Sequence, residues 1–269
     1  MGGAIAKRLA AEGFELSLWN RTRSKAEALK VGEVAATPAE AASGADVVLS
    51  VLTGPDALRA AYVEGPGATQ AAQDQVYAEM STAGPRAVYE VAEVVEARGG
   101  VLIDAPVLGS VPAVESGQLQ ILCGGDPAAI ERARRVLDAL GEVRHVGPLG
   151  SGARLKLVAN SMLAGISELA AELMAAGTAS GLPRDQVFWA LTRLAPYLKA
   201  RERGYMEGVH EPVLFRLRDM VKDLDLALEM FGEADVDVPI TRRERAIYAE
   251  AAEKAGDLDL SAITERFVA

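Results

Sequence analysis

Lys156 and Asn160 are the two residues whose types and spacing best suggest chemistry. They stand four positions apart, directly after the Gly-rich segment Gly147-Pro-Leu-Gly-Ser-Gly152. On a helix this spacing places both side chains on one face, about one turn apart. A desolvated lysine can exchange a proton with a substrate oxygen there, and the asparagine amide can hold that oxygen in place. A solvated lysine beside an incidental asparagine is the simpler alternative.

The residues around this pair argue against that alternative. The segment carries large apolar side chains at nearly every angle of a helix: Leu155, Leu157, Val158, Met162, Leu163, Ile166, Leu169 and Leu173. Such a helix is typically buried, and lysine is rarely buried without a reason. We therefore expect a buried helix on which Lys156 and Asn160 are catalytic. Lys156 would move the proton, and Asn160 would orient the oxygen.

Composition argues against several other functions. The 269 residues carry a net charge of −10, whereas nucleic-acid and acidic-membrane surfaces need a basic footprint. With one cysteine, Cys123, and two histidines, His145 and His210, we expect no disulfide and no metal site. All three are expected to be structural or solvated. No signal-peptide pattern and no charge-free apolar run of membrane-spanning length is present, so we expect a soluble, cytoplasmic protein.

The elements that must position Lys156 and Asn160 follow two patterns. Up to about residue 145, short apolar strands alternate with amphipathic helices, which predicts a doubly wound α/β sheet. After Gly150 helices follow, broken at glycines and prolines. The sequence therefore predicts a Rossmann-type domain at residues 1–149 and an all-helical domain at residues 150–269. The predicted strands include Phe14–Trp19, Val47–Leu52, Val76–Glu79, Gly100–Asp104 and Leu119–Cys123, and Asp126 is predicted to cap a helix from Pro127 to Leu140.

The N-terminal segment is similar to part of a dinucleotide-binding unit. Gly2 begins a helical pattern that continues to Leu9, as in the first helix of such a unit. In the G-x-G-x-x-G pattern a strand and two further glycines come before this point. Because this chain has neither before Gly2, we expect the natural protein to begin upstream. We also expect the chain as given to bind its cofactor more weakly than an extended one.

The residues after the strand at Phe14–Trp19 suggest which nucleotide is bound. Asn20, Arg21 and Thr22 follow it, with Lys25 nearby. An NAD-binding protein places an acidic residue here to bind the ribose hydroxyls. Asn20 has no charge to repel a phosphate, and Arg21, Thr22 and Lys25 can bind one. We expect NADP as the cofactor, with NAD as the alternative and a loop that is basic by chance as the simplest explanation.

Several motifs, in one order along the whole chain, resemble the β-hydroxyacid dehydrogenases. This family includes 3-hydroxyisobutyrate dehydrogenase, tartronate semialdehyde reductase and glyoxylate/succinic semialdehyde reductase, and it is distantly similar to 6-phosphogluconate dehydrogenase. The motifs are Asn20-Arg-Thr22, Val51-Leu-Thr53, Ser81-Thr82, Asp104-Ala-Pro-Val107 with Gly109, Gly150-x-Gly-x-x-x-Lys156-x-x-x-Asn160 and Lys222-Asp-Leu224. The resemblance implies an oxidoreductase that interconverts a small carboxylate-bearing aldehyde or keto acid and its hydroxyacid, with the proton supplied by Lys156.

The resemblance also implies which residues bind the two ligands. For the cofactor these are Gly2, Asn20, Arg21, Thr22, Lys25, Val51, Leu52, Thr53, Thr82 and Lys222. For the substrate they are Gly109, Ser110, Lys156, Asn160 and Lys222. This chain departs from the family at Leu108-Gly-Ser110, where Ser-Gly-Gly is usual, and at Ser161, where a second asparagine is frequent. Both departures concern the substrate more than the reaction.

Two alternative functions remain, and a second copy of the chain is the expected partner. An imine reductase of the same fold need not keep a lysine at position 156, so Lys156 argues against it. A non-catalytic scaffold is suggested by the absent Gly-rich turn, but it has no need of Lys156, Asn160 and Lys222 together. The long helix is more apolar than one small domain readily covers, and Ala170–Ala179 favours close helix packing. We therefore expect a homodimer or homotetramer.

Overall fold

The computed structural model of the chain describes residues 1–267. It divides into two compact units, Met1–Lys156 and Leu157–Ala269. The last two residues of the predicted second domain, 268 and 269, lie outside the described residues. The predicted boundary between residues 149 and 150 stays a prediction.

The first unit is built on short strands. Those in the described part of the chain are β1 (Ser17–Leu18), β2 (Glu33–Val34), β3 (Val47–Ser50), β4 (Val76–Glu79), β5 (Val101–Asp104), β6 (Val107–Leu108), β7 (Leu119–Gly124) and β8 (Gly141–Gly147). β1 and β2 form a parallel two-stranded sheet, and the other six form a mixed sheet. In the mixed sheet β3, β4 and β5 are parallel, while β7 is antiparallel to β5 and β6 and parallel to β8.

Helices connect these strands and confirm the predicted α/β class. They are α1 (Gly2–Ala11), α2 (Arg23–Glu27), α3 (Pro38–Ala42), α4 (Pro55–Tyr62), α5 (Gly84–Glu96), α6 (Val111–Glu115) and α7 (Pro127–Asp138), with a 3₁₀ turn at Ala68–Ala71. As predicted, Asp126 caps α7: its Oδ1 accepts the N–H of Ala128 at 3.0 Å. The predicted strand over Phe14–Trp19 is shorter in the structure, because only Ser17 and Leu18 pair with β2.

The mixed sheet is covered on both faces by apolar side chains. β4 is buried along its whole length, including Glu79 at its end, as is typical of a strand in a sheet covered on both faces. Because successive residues of a strand point to opposite faces, Val76 and Ala78 pack with α1 and α7, whereas Tyr77 packs with α4 and α5. Two apolar clusters, one on each face of the sheet, thus hold the ends of β3, β4 and β5 in place.

After Gly147, the regular elements in the described part of the chain are helices. They are α8 (Ser151–Ala179), α9 (Arg184–Leu194), α10 (Glu202–Glu207), α11 (Leu217–Glu233) and α12 (Pro239–Ala255), with 3₁₀ segments at Pro196–Arg201 and Leu260–Phe267. The core of the second unit includes Tyr205, Met220, Leu224 and Tyr248, all fully buried. In the Ala-rich part of α8, Ala170 and Ala171 are also buried, in agreement with close helix packing.

One side of α8 is exposed, so the expectation of a helix buried all round is wrong. Five apolar side chains are 40% to 65% exposed: Leu155, Val158, Met162, Leu169 and Leu173. At 3.6 residues per turn these positions fall within an arc of about 60°. We call them the α8 stripe. The opposite side of the helix carries the buried residues Asn160, Ala164 and Met174.

By length and composition, α8 is the single helix of the described residues that could cross a membrane, and 39% of an apolar 18-residue stretch within it is buried. The core helix of a soluble protein can have the same length and composition. Lys156 and Asn160 lie within this helix.

Candidate active site

Three polar residues end three neighbouring strands of the mixed sheet. Ser50 ends β3, Glu79 ends β4 and Asp104 ends β5, and the strand register pairs Ser50 with Glu79 and Glu79 with Asp104. All three side chains are buried, with Glu79 at 1% and Asp104 at 0% exposure. Open α/β sheets bind ligands at the carboxyl ends of their strands. This strand-end row therefore marks the candidate active-site edge of the first unit.

Asp104 holds the first turn of α8. Its Oδ1 accepts the N–H of Gly150 at 2.7 Å, and its Oδ2 accepts the N–H of Ala153 at 2.6 Å. Burial raises the pKa of the Asp104 carboxyl, and these backbone donors oppose the rise. A carboxylate is favoured at a helix N-terminus because it meets N–H groups without an intrahelical partner and the positive end of the helix dipole. Asp104 therefore fixes the start of the helix that carries Lys156.

Two glycines leave the space that the Asp104 carboxylate fills. A Cβ at Gly124 would overlap Asp104 Oδ1, and a Cβ at Gly152 would overlap the carbonyl oxygen of Leu122 and press on Asp104 Oδ2. The role of glycine here is close approach rather than flexibility. The Gly150-x-Gly152 motif of the sequence is thereby explained in part by the buried carboxylate beneath it.

Glu79 joins the ends of β3 and β4 in a buried hydrogen-bond network. Its Oε1 accepts the N–H of Ser81 at 2.7 Å, and its Oε2 accepts the hydroxyl of Ser50. Ser50 Oγ lies 2.7 Å from the hydroxyl of Tyr62, and Ser81 Oγ accepts the N–H of Leu52 at 2.7 Å. Burial raises the pKa of Glu79 to about 7, against the opposing effect of the Ser50 and Ser81 hydrogen bonds.

The predicted cofactor residues of the two loops after β3 and β4 lie close to one another. Val51, Leu52 and Thr53 follow β3, and Thr82 follows β4 directly after Ser81. The Leu52–Ser81 hydrogen bond joins these loops. Gly2, the first residue of α1, packs on Val51, because a Cβ at Gly2 would be 3.5 Å from Val51 Cβ. The structure thus brings five of the predicted cofactor residues to one edge: Gly2, Val51, Leu52, Thr53 and Thr82.

The predicted phosphate-binding turn lies between β1 and α2. Asn20 Oδ1 accepts the N–H of Thr22 at 2.9 Å, which shapes the turn, and Thr22 is the N-cap residue of α2. Arg21 and Lys25 are exposed. Arg23, which the sequence analysis did not select, is instead bound to Glu27 at 2.8 Å. The turn therefore presents two exposed cations beside the exposed Thr22.

The predicted substrate residues Gly109 and Ser110 lie between β6 and α6. Gly109 is exposed, and the half-buried Ser110 is the N-cap residue of α6. The Ser110 side chain makes no capping hydrogen bond with that helix. Its hydroxyl is therefore not used to cap the helix, which is compatible with a role in binding a small anion.

Within the second unit, Asp223 connects two predicted site residues. Asn160 Nδ2 donates to Asp223 Oδ2 at 2.5 Å, and Lys222 Nζ lies 2.5 Å from Asp223 Oδ1. Asn160 and Asp223 are 3% and 1% exposed. Because Nδ2 faces Asp223, the amide orientation of Asn160 is set and its Oδ1 points away from Asp223 Oδ2. Lys156 stands one turn earlier on the same continuous helix and is half-buried.

Three residues of this arrangement were missed as site residues by the sequence analysis. Asp104 and Asp223 stand in motifs that it quoted, but no role was assigned to either side chain. Glu79 received none, because a glutamate at the end of an apolar strand is usually solvated. The signal that points to them is burial of a carboxylate, which requires hydrogen bonds within the fold.

The histidines and the cysteine have structural surroundings, as expected. His145 Nε2 lies 2.9 Å from the carbonyl oxygen of Gly147. The buried His210 is held by Ser261 at 3.0 Å and Glu265 at 2.8 Å. Cys123 is a buried free thiol. Residues 1–267 contain no group of three or more His, Cys, Asp or Glu side chains placed to hold a metal ion.

Comparison with known proteins identifies the class. Residues 1–148 match the family model for the NAD binding domain of 6-phosphogluconate dehydrogenase, and residues 150–267 match that for NADP-dependent 3-hydroxyisobutyrate dehydrogenase. Together with the strand-end row, these matches define an NAD(P)-dependent oxidoreductase. The chain belongs to the β-hydroxyacid dehydrogenase family, as its motifs predicted.

Individual relatives agree with this assignment. Glyoxylate/succinic semialdehyde reductase 1 of Arabidopsis thaliana is 30% identical over 98% of this chain and 94% of its own length. A structure of Mycobacterium tuberculosis 3-hydroxyisobutyrate dehydrogenase with L-serine has a TM-score of 0.83 at 26% identity, covering 100% of this chain and 96% of that one. The cytokine-like nuclear factor N-PAC of Xenopus tropicalis is 27% identical over 100% of this chain, which spans 52% of that protein. The predicted Rossmann-type sheet followed by a helical domain is confirmed by such structures.

Proposed function

We propose that this protein is a cytoplasmic, NADP(H)-dependent reductase of a small aldehyde or keto acid that carries a carboxylate, with Lys156 as its proton donor. The observation that carries the proposal is the buried Asp223, which holds the Asn160 amide one helical turn from Lys156. An amide held by a buried carboxylate has one orientation available. This is what a catalytic site needs from a residue that positions a reacting oxygen.

The residues of the first unit fit a dinucleotide cofactor. The N-terminal end of α1 at Gly2 would take the diphosphate, because N–H groups and the helix dipole favour an anion there. Arg21, Thr22 and Lys25 would take the 2′-phosphate of NADP, supported by the turn that Asn20 shapes. The backbone at Val51, Leu52 and Thr53, with Thr82, would line the nicotinamide end. When bound, the cofactor supplies or accepts a hydride.

Lys156 and Asn160 would act on the substrate oxygen. In the reduction, the Lys156 ammonium stabilises the negative charge that develops on the carbonyl oxygen and then donates its proton to it. Asn160 Oδ1, which points away from Asp223, accepts a hydrogen bond from Lys156 Nζ or from the product hydroxyl. In the oxidation the same residues work in reverse, with neutral Lys156 removing the hydroxyl proton.

The substrate carboxylate would be received by backbone N–H groups at Gly109 and by the hydroxyl of Ser110. Lys222 is a second cation for substrate or cofactor. Its charge is balanced by Asp223 at 2.5 Å, so it contributes directed N–H donors more than net charge. Because Leu108-Gly-Ser110 replaces the usual Ser-Gly-Gly, we propose the substrate as a class, a small carboxylate-bearing carbonyl compound.

The α8 stripe favours a homo-oligomer. Its five exposed side chains lie along roughly 18 residues of one helix, a length of about 27 Å. A contiguous apolar strip of this kind is uncommon on a monomer. We therefore propose a homodimer or homotetramer in which a second copy covers the stripe.

The competing functions make different predictions. An imine reductase would act without Lys156, and a non-catalytic scaffold would need neither Lys156 nor a fixed Asn160 amide. The buried Asn160–Asp223 pair favours the reductase, because a scaffold gains little from a buried charge that requires compensation.

The test is an assay of NADPH and NADH oxidation with glyoxylate, succinic semialdehyde, tartronate semialdehyde and methylmalonate semialdehyde, together with NADP⁺ and NAD⁺ reduction by L-serine. On the best substrate, Lys156→Ala is expected to lower kcat by about two to four orders of magnitude. Lys254→Ala, at an exposed lysine of α12, is the matched control and should keep wild-type turnover. Near-normal turnover of Lys156→Ala would remove Lys156 from the mechanism, and wild-type inactivity on the whole panel would reject the proposed substrate class.

A further inference from the structure

The Glu79 network joins the two loops that the proposed function assigns to the nicotinamide end of the cofactor. One loop is held at the N–H of Ser81 by Glu79 Oε1, next to Thr82. The other is held at the N–H of Leu52 by Ser81 Oγ. Ser50, Glu79 and Ser81 are all buried, at 8%, 1% and 6% exposure. A single carboxylate thus determines, directly or through one serine, where two cofactor-facing backbone segments lie.

The hydroxyl chain from Glu79 to Tyr62 can exist in two states. When Glu79 is ionised, Ser50 donates to Glu79 Oε2 and Tyr62 donates to Ser50 Oγ. When Glu79 is protonated, its own O–H donates to Ser50, which turns its hydroxyl toward Tyr62. Each oxygen keeps a hydrogen-bond partner in both states and the change requires rotation of hydroxyls, but in the protonated state the Tyr62 O–H proton has no acceptor within residues 1–267.

The two states differ in strength. Hydrogen bonds to an ionised acceptor are shorter and about twice as strong as neutral ones. The Ser81 hydroxyl and N–H both meet Glu79, so ionisation tightens the Ser81 turn and, through it, the hydrogen bond to Leu52. The titratable groups that face Glu79 are Asp104, from β5, and Tyr62, from α4. Burial raises the pKa of Tyr62 well above 10, which keeps its hydroxyl protonated in both states.

We propose that Glu79 is a positioning residue for the nicotinamide half of the cofactor, and that its ionised form holds the Leu52 and Ser81–Thr82 backbone in the cofactor-binding arrangement. This inference rests on the proposed function, because it assumes that these loops contact the cofactor. It predicts that cofactor affinity rises as Glu79 loses its proton. Since burial raises the pKa of Glu79 to about 7, the change should centre near neutral pH.

Ionised Glu79 also carries a stability cost. The pKa of this group is higher in the folded state, about 7, than its ordinary value of 4.5. Its contribution to stability is therefore fully present below pH 4.5 and is lost as the pH rises through about 7. A buried charge kept at the expense of stability is typical of a functional residue. If Glu79 were purely structural, its ionisation would lower stability as the pH rises but would not raise the affinity for the cofactor.

The test compares the wild type with Glu79→Gln between about pH 5.5 and 9, a range that spans the folded-state pKa of Glu79. Glutamine is isosteric with the neutral acid: its oxygen accepts from Ser81, and its amide donates to Ser50. Dissociation constants for NADPH and NADH are measured by fluorescence, and unfolding temperatures are measured without cofactor. Because a phosphate monoester itself titrates at about pH 6, the two proteins are compared at each pH, and NADH provides a probe without the 2′-phosphate.

We expect the wild type to bind either cofactor about three- to ten-fold more tightly at about pH 8.5 than Glu79→Gln does, and the two to converge at about pH 5.5. Above about pH 7 Glu79→Gln should nevertheless unfold at a higher temperature than the wild type. Glu244→Gln is the matched control, because burial raises the pKa of Glu244, in the second unit, also to about 7. It should share the gain in stability and keep the wild-type affinity.

Ser81→Ala removes the hydroxyl that links Leu52 to Glu79 and keeps the bond from the Ser81 N–H to Glu79. It should weaken cofactor binding at alkaline pH without the gain in stability. Equal affinities of wild type, Glu79→Gln and Ser81→Ala at alkaline pH would overturn the inference and leave the proposed function intact. If Glu79→Gln fails to fold, wild-type affinity in Ser81→Ala would overturn the inference in the same way. A wild type that binds neither NADPH nor NADH would overturn the proposed function, and this inference with it.

Discussion

Replacing Asp104 by asparagine should destabilise the first unit strongly, even though the substitution only replaces one carboxylate oxygen by an NH₂ group. The Asp104 side chain is fully buried and accepts the N–H groups of Gly150 at 2.7 Å and Ala153 at 2.6 Å. Asparagine keeps one acceptor oxygen and turns an NH₂ group toward the other N–H. The lost bond to a charged acceptor costs about 1.5–3 kcal/mol, and the N–H left without an acceptor costs about 1–3 kcal/mol.

Burial of the charge offsets part of this loss. Burial raises the pKa of Asp104, so the neutral amide regains some of the desolvation free energy that the carboxylate gives up. The expected net change in the free energy of unfolding is therefore about 2–4 kcal/mol, a large share of the roughly 5–15 kcal/mol of a typical domain. Because Lys156 follows on the same helix, kcat should also fall by about ten-fold or more.

Urea unfolding followed by tryptophan fluorescence measures this effect in the first unit. The chain has two tryptophans, and Trp189→Phe leaves Trp19 as the reporter, in the apolar cluster that covers one face of the mixed sheet. Asp126→Asn is the control, because exposed Asp126 caps α7 through one oxygen and asparagine is an equally good N-cap. It should change stability by less than about 0.5 kcal/mol. If Asp104→Asn is also within about 1 kcal/mol of the wild type, Asp104 does not hold α8 as described.

Three further substitutions test separate parts of the proposal. Arg21→Asp should lower the NADPH-to-NADH ratio of kcat/KM by about ten- to a hundred-fold by placing a carboxylate against the 2′-phosphate; an unchanged ratio would mean that this turn does not select the cofactor. Burial raises the pKa of Glu244 from 4.5 to about 7, and the nearby Glu168 adds to this rise. Glu244→Gln should therefore have the same free energy of unfolding as the wild type at low pH and exceed it by about 1–3 kcal/mol above about pH 7. Stability curves of the two proteins that stay parallel across this pH range would contradict this. Met162→Asp, in the α8 stripe, should dissociate the oligomer in sedimentation velocity at micromolar concentration, and a wild type that is already monomeric would refute the oligomer.

Local sequence signals predicted the elements whose stability is itself local. Val76–Glu79 begins with three residues suited to a buried strand, and Asp126 with Pro127 marks a helix start, so both elements were predicted. The strand Phe14–Trp19 was overestimated because its length depends on the two residues that β2 offers for pairing. In α8 the apolar pattern is nearly continuous, and the sequence does not reveal which side other elements cover. The sequence therefore predicted surplus apolar surface on this helix, but not which residues form the α8 stripe.

The candidate site was predictable where spacing along one helix sufficed and unpredictable where distant segments meet. Lys156 and Asn160 are positioned by helix geometry alone. The bond from Asn160 to Asp223 joins residues 63 positions apart, and no local pattern selects that partner. Glu79 is equally hidden, because its role depends on Ser50, 29 positions earlier in the chain.

The space shared by Asp104, Gly124 and Gly152 has a consequence for directed evolution. A Cβ at Gly124 would meet Asp104 Oδ1 first, so a smaller residue at position 104 would relieve the larger overlap there. A Cβ at Gly152 would meet the backbone carbonyl oxygen of Leu122, and no change at position 104 relieves that overlap. Libraries should therefore yield alternatives at position 124 only when position 104 is randomised together with it, and they should keep glycine at position 152.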